Sequence, residues 1–162
     1  MLLSGRGLVK TTGFKDPRYL GDPRNTVRIF NEKEVDELVL LDIRATVSDK
    51  RPQFDLIEEI VAEAFMPIGY GGGIRSLAGC SRIFELGVEK IVLNTIAVQN
   101  PDFVTQAARE FGSQSVVVSL DARKKLLSGY SVFTHAGTKS TGRDPASMAK
   151  TMEDAGAGEL LV

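Results

Sequence analysis

The sequence predicts an α/β protein, a (βα)8 barrel of the TIM type that is incomplete within these 162 residues. Three observations predict it. Short apolar strands alternate with amphipathic helices at the spacing of βαβ units, which requires a parallel sheet. Helices return to the sheet through compact glycine turns, at Gly87-Val88-Glu89 and again at Gly158-Glu159. Residues able to do chemistry stand at the ends of successive strands: Asp42, then Gly71, Gly72 and Gly73, then Asn94 and Thr95, then Asp121. Such residues converge in a closed barrel, whereas on an open sheet they lie in a row. Eight units need about 250 residues. The expectation is therefore one partial-barrel domain over 1–162 with about five to six units, its first strand clipped and its last ending at Val162.

In chain order, Leu8-Val9-Lys10 is strand-like, and a flexible loop is expected to begin at Lys10. Asp22 and Pro23 supply an N-cap and a first helical residue, which opens a helix running to about Asn31. Residues 37–43 are an almost continuous apolar run, the pattern of a strand buried on both faces. A polar loop over 44–51 leads to an amphipathic helix at 54–64 and a strand at 68–70. A helix at 77–86, a strand at 90–94, a helix at 101–111 and a strand at 115–121 continue the alternation. Segment 123–133 breaks it, since Ser128-Gly129 between Leu127 and Tyr130 reads as the turn of an inserted hairpin. A helix at 145–155 and a strand from Glu159 resume the pattern. The total is five helices and about six strands.

Composition narrows the function. At 43% hydrophobic and 25% charged residues, the chain has material for one core. A net charge of -1 gives no electrostatic reason to expect nucleic acid or an acidic membrane as partner. No apolar run approaches the length of a membrane span. Cys80 is the single cysteine, so an intrachain disulfide is impossible and a cytoplasmic setting is expected. His135 is the single histidine, which argues against zinc sites and histidine triads; no metal or cofactor is expected.

The glycine stretch after the apolar strand brings backbone N–H groups close to a ligand, and the helix beyond it adds a positive dipole end. That suits a phosphate, although three glycines also serve in plain tight turns. Asn94 and Thr95 add an amide and a hydroxyl, either for the same phosphate or to cap the next turn. Asp121 follows an apolar run where burial suits a carboxyl to acid–base work, with a turn cap as the alternative. Asp42 has the same position and the same two readings. Glu37, Lys90 and Glu159 begin alternate strands and would share one layer of a barrel, as a charged ring that either plugs it or serves it.

With these stretches assembled, the sequence resembles the cyclase subunit family of imidazole glycerol phosphate synthase. The resemblance rests on Leu8-Val9-Lys10, Gly21-Asp22-Pro23, the run from Asp36 to Asp42, the glycines with Ile74, the run from Lys90 to Thr95, Phe111-Gly112-Ser113-Gln114 through Asp121, and Gly156-Ala157-Gly158-Glu159. It implies a (βα)8 barrel that takes ammonia from a glutaminase partner through its centre to a phosphorylated ribulosyl substrate. By the same resemblance, Gly72, Gly73, Asn94 and Thr95 hold one substrate phosphate, Asp121 is one of two catalytic aspartates, and Lys10 is the lysine of a mobile first loop. Glu37, Lys90 and Glu159 match an ammonia gate, and Glu89 an acidic residue facing the glutaminase.

The departures are specific. The family's other catalytic aspartate falls at Leu2, which cannot transfer protons. The gate arginine belongs upstream of Met1, and the second phosphate site beyond Val162. Leu2, the start Arg6-Gly7-Leu8-Val9-Lys10, the run from Asn31 to Glu37 and Tyr70 resemble a side branch serving surface-polysaccharide pathways. There the ammonia forms an acetamidino group, and no cyclase base is needed. Two other readings stand beside these: a truncated barrel that only binds phosphate or a partner, and an unrelated phosphate-binding barrel such as an isomerase.

Overall fold

The computed structural model describes residues 1–125 and 129–162. The fold is α/β, with parallel strands and helices in the succession of an incomplete (βα)8 barrel. The chain divides into two compact units, Met1–Ile91 and Val92–Val162.

The first unit is organised on three parallel strands, β1 (Leu2–Ser4), β4 (Leu38–Asp42) and β5 (Ile68–Gly71). The register sets Leu3 beside Asp42 and Leu41 beside Gly71. Leu3, Leu38, Leu40 and Ile68 are buried, as the unbroken apolar runs require. Between β1 and β4 the chain makes an antiparallel ribbon of β2 (Gly7–Thr12) and β3 (Lys15–Gly21). This corrects the expected loop at Lys10, which lies within β2 opposite Arg18. The ribbon exists because Gly13 and Phe14 both take left-handed φ angles, 56° and 65°, forming a two-residue turn whose twist suits a hairpin. Its outer strand is almost wholly exposed, and Pro17 with Lys15, Asp16 and Arg18 keeps that edge from pairing further.

Three helices join these strands. Helix α1 (Pro23–Glu32) begins where expected, with the Asp22 carboxylate accepting from the Arg24 N–H at 2.8 Å. Helix α2 (Phe54–Val61) buries Leu56, Ile57 and Ile60, each worth about 1.5–3 kcal/mol of apolar transfer. It ends three residues before the expected 64, and the chain turns instead around Asn31, whose amide donates to Glu63 O at 2.7 Å and accepts from Phe65 N at 3.0 Å. Helix α3 (Leu77–Glu85) is capped by Ser76, which accepts from Gly79 N at 3.1 Å. Strand β6 (Lys90–Leu93) then runs from the first unit into the second.

In the second unit a short helix α4 (Thr95–Gln99), not expected from the sequence, precedes α5 (Pro101–Phe111). Strand β7 (Val116–Ser119) pairs in parallel with β11 (Glu159–Leu161), Glu159 beside Val117. The return into β11 needs Gly158, where a Cβ would lie 2.2 Å from Ser113 O. Strands β8 (Asp121–Lys124) and β9 (Tyr130–Thr134) form the expected inserted hairpin, with Lys124 beside Tyr130. Leu127 and Ser128 of its expected turn lie outside the described residues. Strand β10 (Lys139–Ser140) extends this sheet, and α6 (Pro145–Asp154) starts on an Asp144 cap accepting from Ser147 N at 3.0 Å. Among the described residues no helix is long and apolar enough to cross a membrane.

The α1 start gives a test of the first unit. Replacing Asp22 with alanine should lower stability by about 1 kcal/mol, read as a lower urea midpoint. The Arg24 guanidinium holds the Asp22 carboxyl down at about 2. Because the folded value lies below the unfolded one, the penalty should be full above the ordinary carboxylate range and fade as pH falls towards 2.

Candidate functional site

The expected site residues divide between the two units. In the first, Asp42 ends β4 and is buried. One carboxylate oxygen accepts from Arg44 N at 2.9 Å and Ala45 N at 3.1 Å, and the other from Gln53 Nε2 at 2.9 Å. Gln53 Nε2 also reaches Gly5 O at 2.9 Å. The carboxylate therefore folds the β4–α2 loop and ties it to the β1–β2 turn, a role nearer to the capping reading than to acid–base work.

Gly72 and Gly73 press against that loop. A Cβ on Gly72, at φ 128°, would sit 2.7 Å from Asp42 O, and one on Gly73, at φ 70°, would sit 2.6 Å from Lys50 O. The glycines are thus required by contact with the protein's own backbone, in addition to anything they offer a ligand. The Gly73 N–H points to Thr46 Oγ1 at 3.4 Å. Beneath them Tyr70 is buried, its hydroxyl without a hydrogen-bond partner among the described residues. Burial, the Asp42 charge and, in opposition, the nearby Gln53 backbone act on that phenol, and the net effect is strongly upward, so it stays neutral. Thr46 and Gln53 are contributions the sequence reading missed, hinted at only for Thr46 by the polar composition of the loop over 44–51, and Tyr70 entered it only as part of the side-branch resemblance.

At the opposite ends of these strands, Lys90 Nζ donates to Glu37 Oε2 at 2.9 Å. The side chains are about a fifth and a third exposed, so the pair is partly shielded from solvent. Glu89, next to it, holds β5 by its backbone N–H to Ile68 O at 2.9 Å and keeps its side chain exposed. Lys10 is exposed on β2.

In the second unit Asn94 and Thr95 follow β6. The Asn94 side chain does not cap α4; its Nδ2 donates to Ser119 O at 2.9 Å. Thr95 Oγ1 donates to Asn94 Oδ1 at 3.2 Å and accepts from His135 N at 3.0 Å. The hydroxyl is thus engaged on both sides, and a phosphate taking its proton would displace it from Asn94. His135 Nδ1 meets Thr134 Oγ1 at 3.0 Å.

Asp121 opens β8 instead of ending the preceding strand, because β7 stops at Ser119. Its carboxyl is pushed up by burial, against the opposing pull of the Gly137 N–H and the Arg123 guanidinium. Arg123 is held in turn over the Phe133 ring, 5.3 Å from its centroid. A half-buried carboxyl with a raised pKa at a strand rim is suited to proton transfer. Glu159 opens β11 opposite Val117.

The Asp121 environment predicts a trade between stability and charge. Its folded pKa is raised, so its contribution to stability is full below the ordinary carboxylate range and is lost as pH rises through the folded value. Asp121→Asn should therefore raise Tm at pH 7 and leave it unchanged near pH 3, as thermal unfolding at both values would show.

The family described as "Histidine biosynthesis protein" matches residues 3–162. Over its full length the chain is 51% identical to a Pseudomonas aeruginosa PAO1 protein named "Putative imidazole glycerol phosphate synthase subunit hisF2", of which it covers 64%. It is 49% identical to a Leptospira interrogans protein named "Putative imidazole glycerol phosphate synthase subunit HisF", again covering 64%. A Vibrio vulnificus YJ016 protein named "Putative imidazole glycerol phosphate synthase subunit hisF3" is 45% identical, with 63% covered. The chain thus spans just under two thirds of the length of these curated relatives. With a match over nearly all its residues and the strand order expected of such a barrel, the chain belongs to the histidine biosynthesis protein family.

Proposed function

We propose that the chain, read as one partial barrel domain, is part of a cytoplasmic ammonia-channelling subunit that works with a glutaminase. In this reading ammonia passes between Glu37, Lys90 and Glu159 and reaches a phosphorylated ribulosyl substrate. Gly72, Gly73, Asn94 and Thr95 receive a substrate phosphate, Asp42 lines the pocket, Asp121 moves the proton, and Lys10 contributes from the first loop. Glu89 faces the glutaminase. The relatives' names support the complex, and one observation carries the conduit: the ion pair of Lys90 with Glu37 at 2.9 Å, at the strand starts, with Asp42 and the glycines at the strand ends. A charged, partly shielded pair at the entry can open by exchanging partners, and a hydrophobic plug of the same volume cannot.

In the complete protein with its glutaminase, Lys90→Ala should slow glutamine-driven turnover by about tenfold or more, equivalent to about 1.4 kcal/mol of barrier, and spare ammonium-driven turnover. Equal loss with both nitrogen sources would remove the gate from the account.

Leu2 favours a second reading, in which the subunit delivers ammonia for acetamidino-sugar formation without cyclisation. Leu2 pairs with Leu41 in β1, one register position from the Asp42 pair, and offers no proton-transfer group there. Leu2→Asp in the complete protein should raise ammonia-dependent cyclisation if the ribulosyl pocket persists. No gain in a folded variant would assign the chain to the ammonia-delivery branch.

A further inference from the structure

Among the described residues the most exposed large apolar side chain is Phe65, 89% open to solvent in the turn between α2 and β5. Single exposed apolar residues are ordinary, so its setting has to decide what it does. That turn is held rigid from α1. The Asn31 amide donates to Glu63 O at 2.7 Å and accepts from Phe65 N at 3.0 Å, and the Arg28 guanidinium grips the Glu63 carboxylate at 2.8 and 2.6 Å. Just beyond, Pro67 O accepts from Leu38 N at 3.0 Å. The ring therefore stands on backbone that is already fixed, and burying it against a partner would cost little backbone freedom.

The neighbouring turns give the ring its context. Strands β4, β5 and β6 are adjacent in the sheet, so Phe65 occupies the middle one of three helix-to-strand turns. The turns on either side are acidic. Glu34 and Asp36 precede β4 and Glu89 precedes β6, all exposed and none in an ion pair among the described residues; Lys33 is the one cation in these two turns. The Lys90–Glu37 pair joins the starts of the two outer strands at 2.9 Å. It passes β5 at Gly69, where a Cβ would already touch Val39 Cγ2 at 3.4 Å and Lys90 Cβ at 3.8 Å.

We infer that Phe65 is the aromatic anchor of the surface on which the glutaminase docks, entering an apolar pocket of that partner framed by lysine or arginine side chains. This rests on the channelling reading given above and adds how the partner is held over the Lys90–Glu37 entry. Aromatic rings at the centre of an interface carry much of its affinity, whereas charges at the rim set the rate of encounter. Here the ring is central and the carboxylates flank it, which fits a partner surface of opposite charge.

The test uses the complete protein with its glutaminase, reading affinity by isothermal titration and turnover with glutamine or ammonium as nitrogen source. Phe65→Ala should weaken binding by about thirtyfold or more, the loss typical of such an anchor, and leave ammonium-driven turnover unchanged. Its glutamine-driven turnover should fall at low partner concentration and return with excess partner. Lys90→Ala should not be rescued by excess partner, so docking and gating separate. Phe65→Tyr should keep most of the affinity, and joint neutralisation of Glu34, Asp36 and Glu89 to their amides should slow association and flatten its salt dependence. If Phe65→Ala binds as tightly as the unaltered protein, the anchor is wrong and the channelling reading stands. If the unaltered protein binds no glutaminase, both fall. Light scattering tests the other occupant: a complete protein that is dimeric alone and monomeric as Phe65→Ala would give the ring to a second copy and overturn the proposal.

Discussion

The first unit depends on one buried carboxylate. Asp42 ends β4 with its oxygens taken by two backbone N–H groups of the following loop and by the Gln53 amide at the start of α2. Because a buried charge is tolerable only when its lone pairs are satisfied, that loop has little freedom once β4 is in place. The consequence passes to the neighbouring strand. Gly72 lies against the Asp42 backbone at a separation no Cβ could share, so the glycine turn and the carboxylate loop fix each other. A rigid glycine turn at the end of β5 is what a phosphate site at this rim requires, since anion recognition by backbone N–H groups works only when they are held before the ligand arrives.

The second unit solves the same problem by strain. Its Thr95 hydroxyl is not locked by a buried charge but held by the turn from His135 to Gly137, whose His135 N–H donates to it. Two non-glycine residues held left-handed cost about 1–2 kcal/mol each, so the turn is kept at the expense of stability. The raised pKa of Asp121 belongs to the same balance, because burial that penalises its charge also makes it a better proton carrier. The Lys90–Glu37 pair differs from both: partly exposed, it adds little to stability.

What the amino-acid sequence determined by itself was the alternation of strands and helices, the capped start at Asp22 that follows from local side-chain chemistry, and the family resemblance. These are properties of short windows, where apolar periodicity and a capping oxygen suffice. An inserted hairpin over 123–133 was also legible, because a Ser-Gly pair between apolar residues breaks the helical pattern. Only the tertiary structure decided the ribbon of β2 and β3, since Gly13 and Phe14 are not a turn pair that composition announces. It alone decided that Asp42 anchors a loop, that the Asn94 amide reaches Ser119 O instead of capping α4, and that Asp121 begins a strand instead of ending one. For the two side chains the deciding partner lies many residues away in sequence, 11 for Gln53 and Asp42 and 25 for Asn94 and Ser119. A side chain's role follows from who accepts or donates its hydrogen bonds, and over such separations only the folded chain supplies that partner.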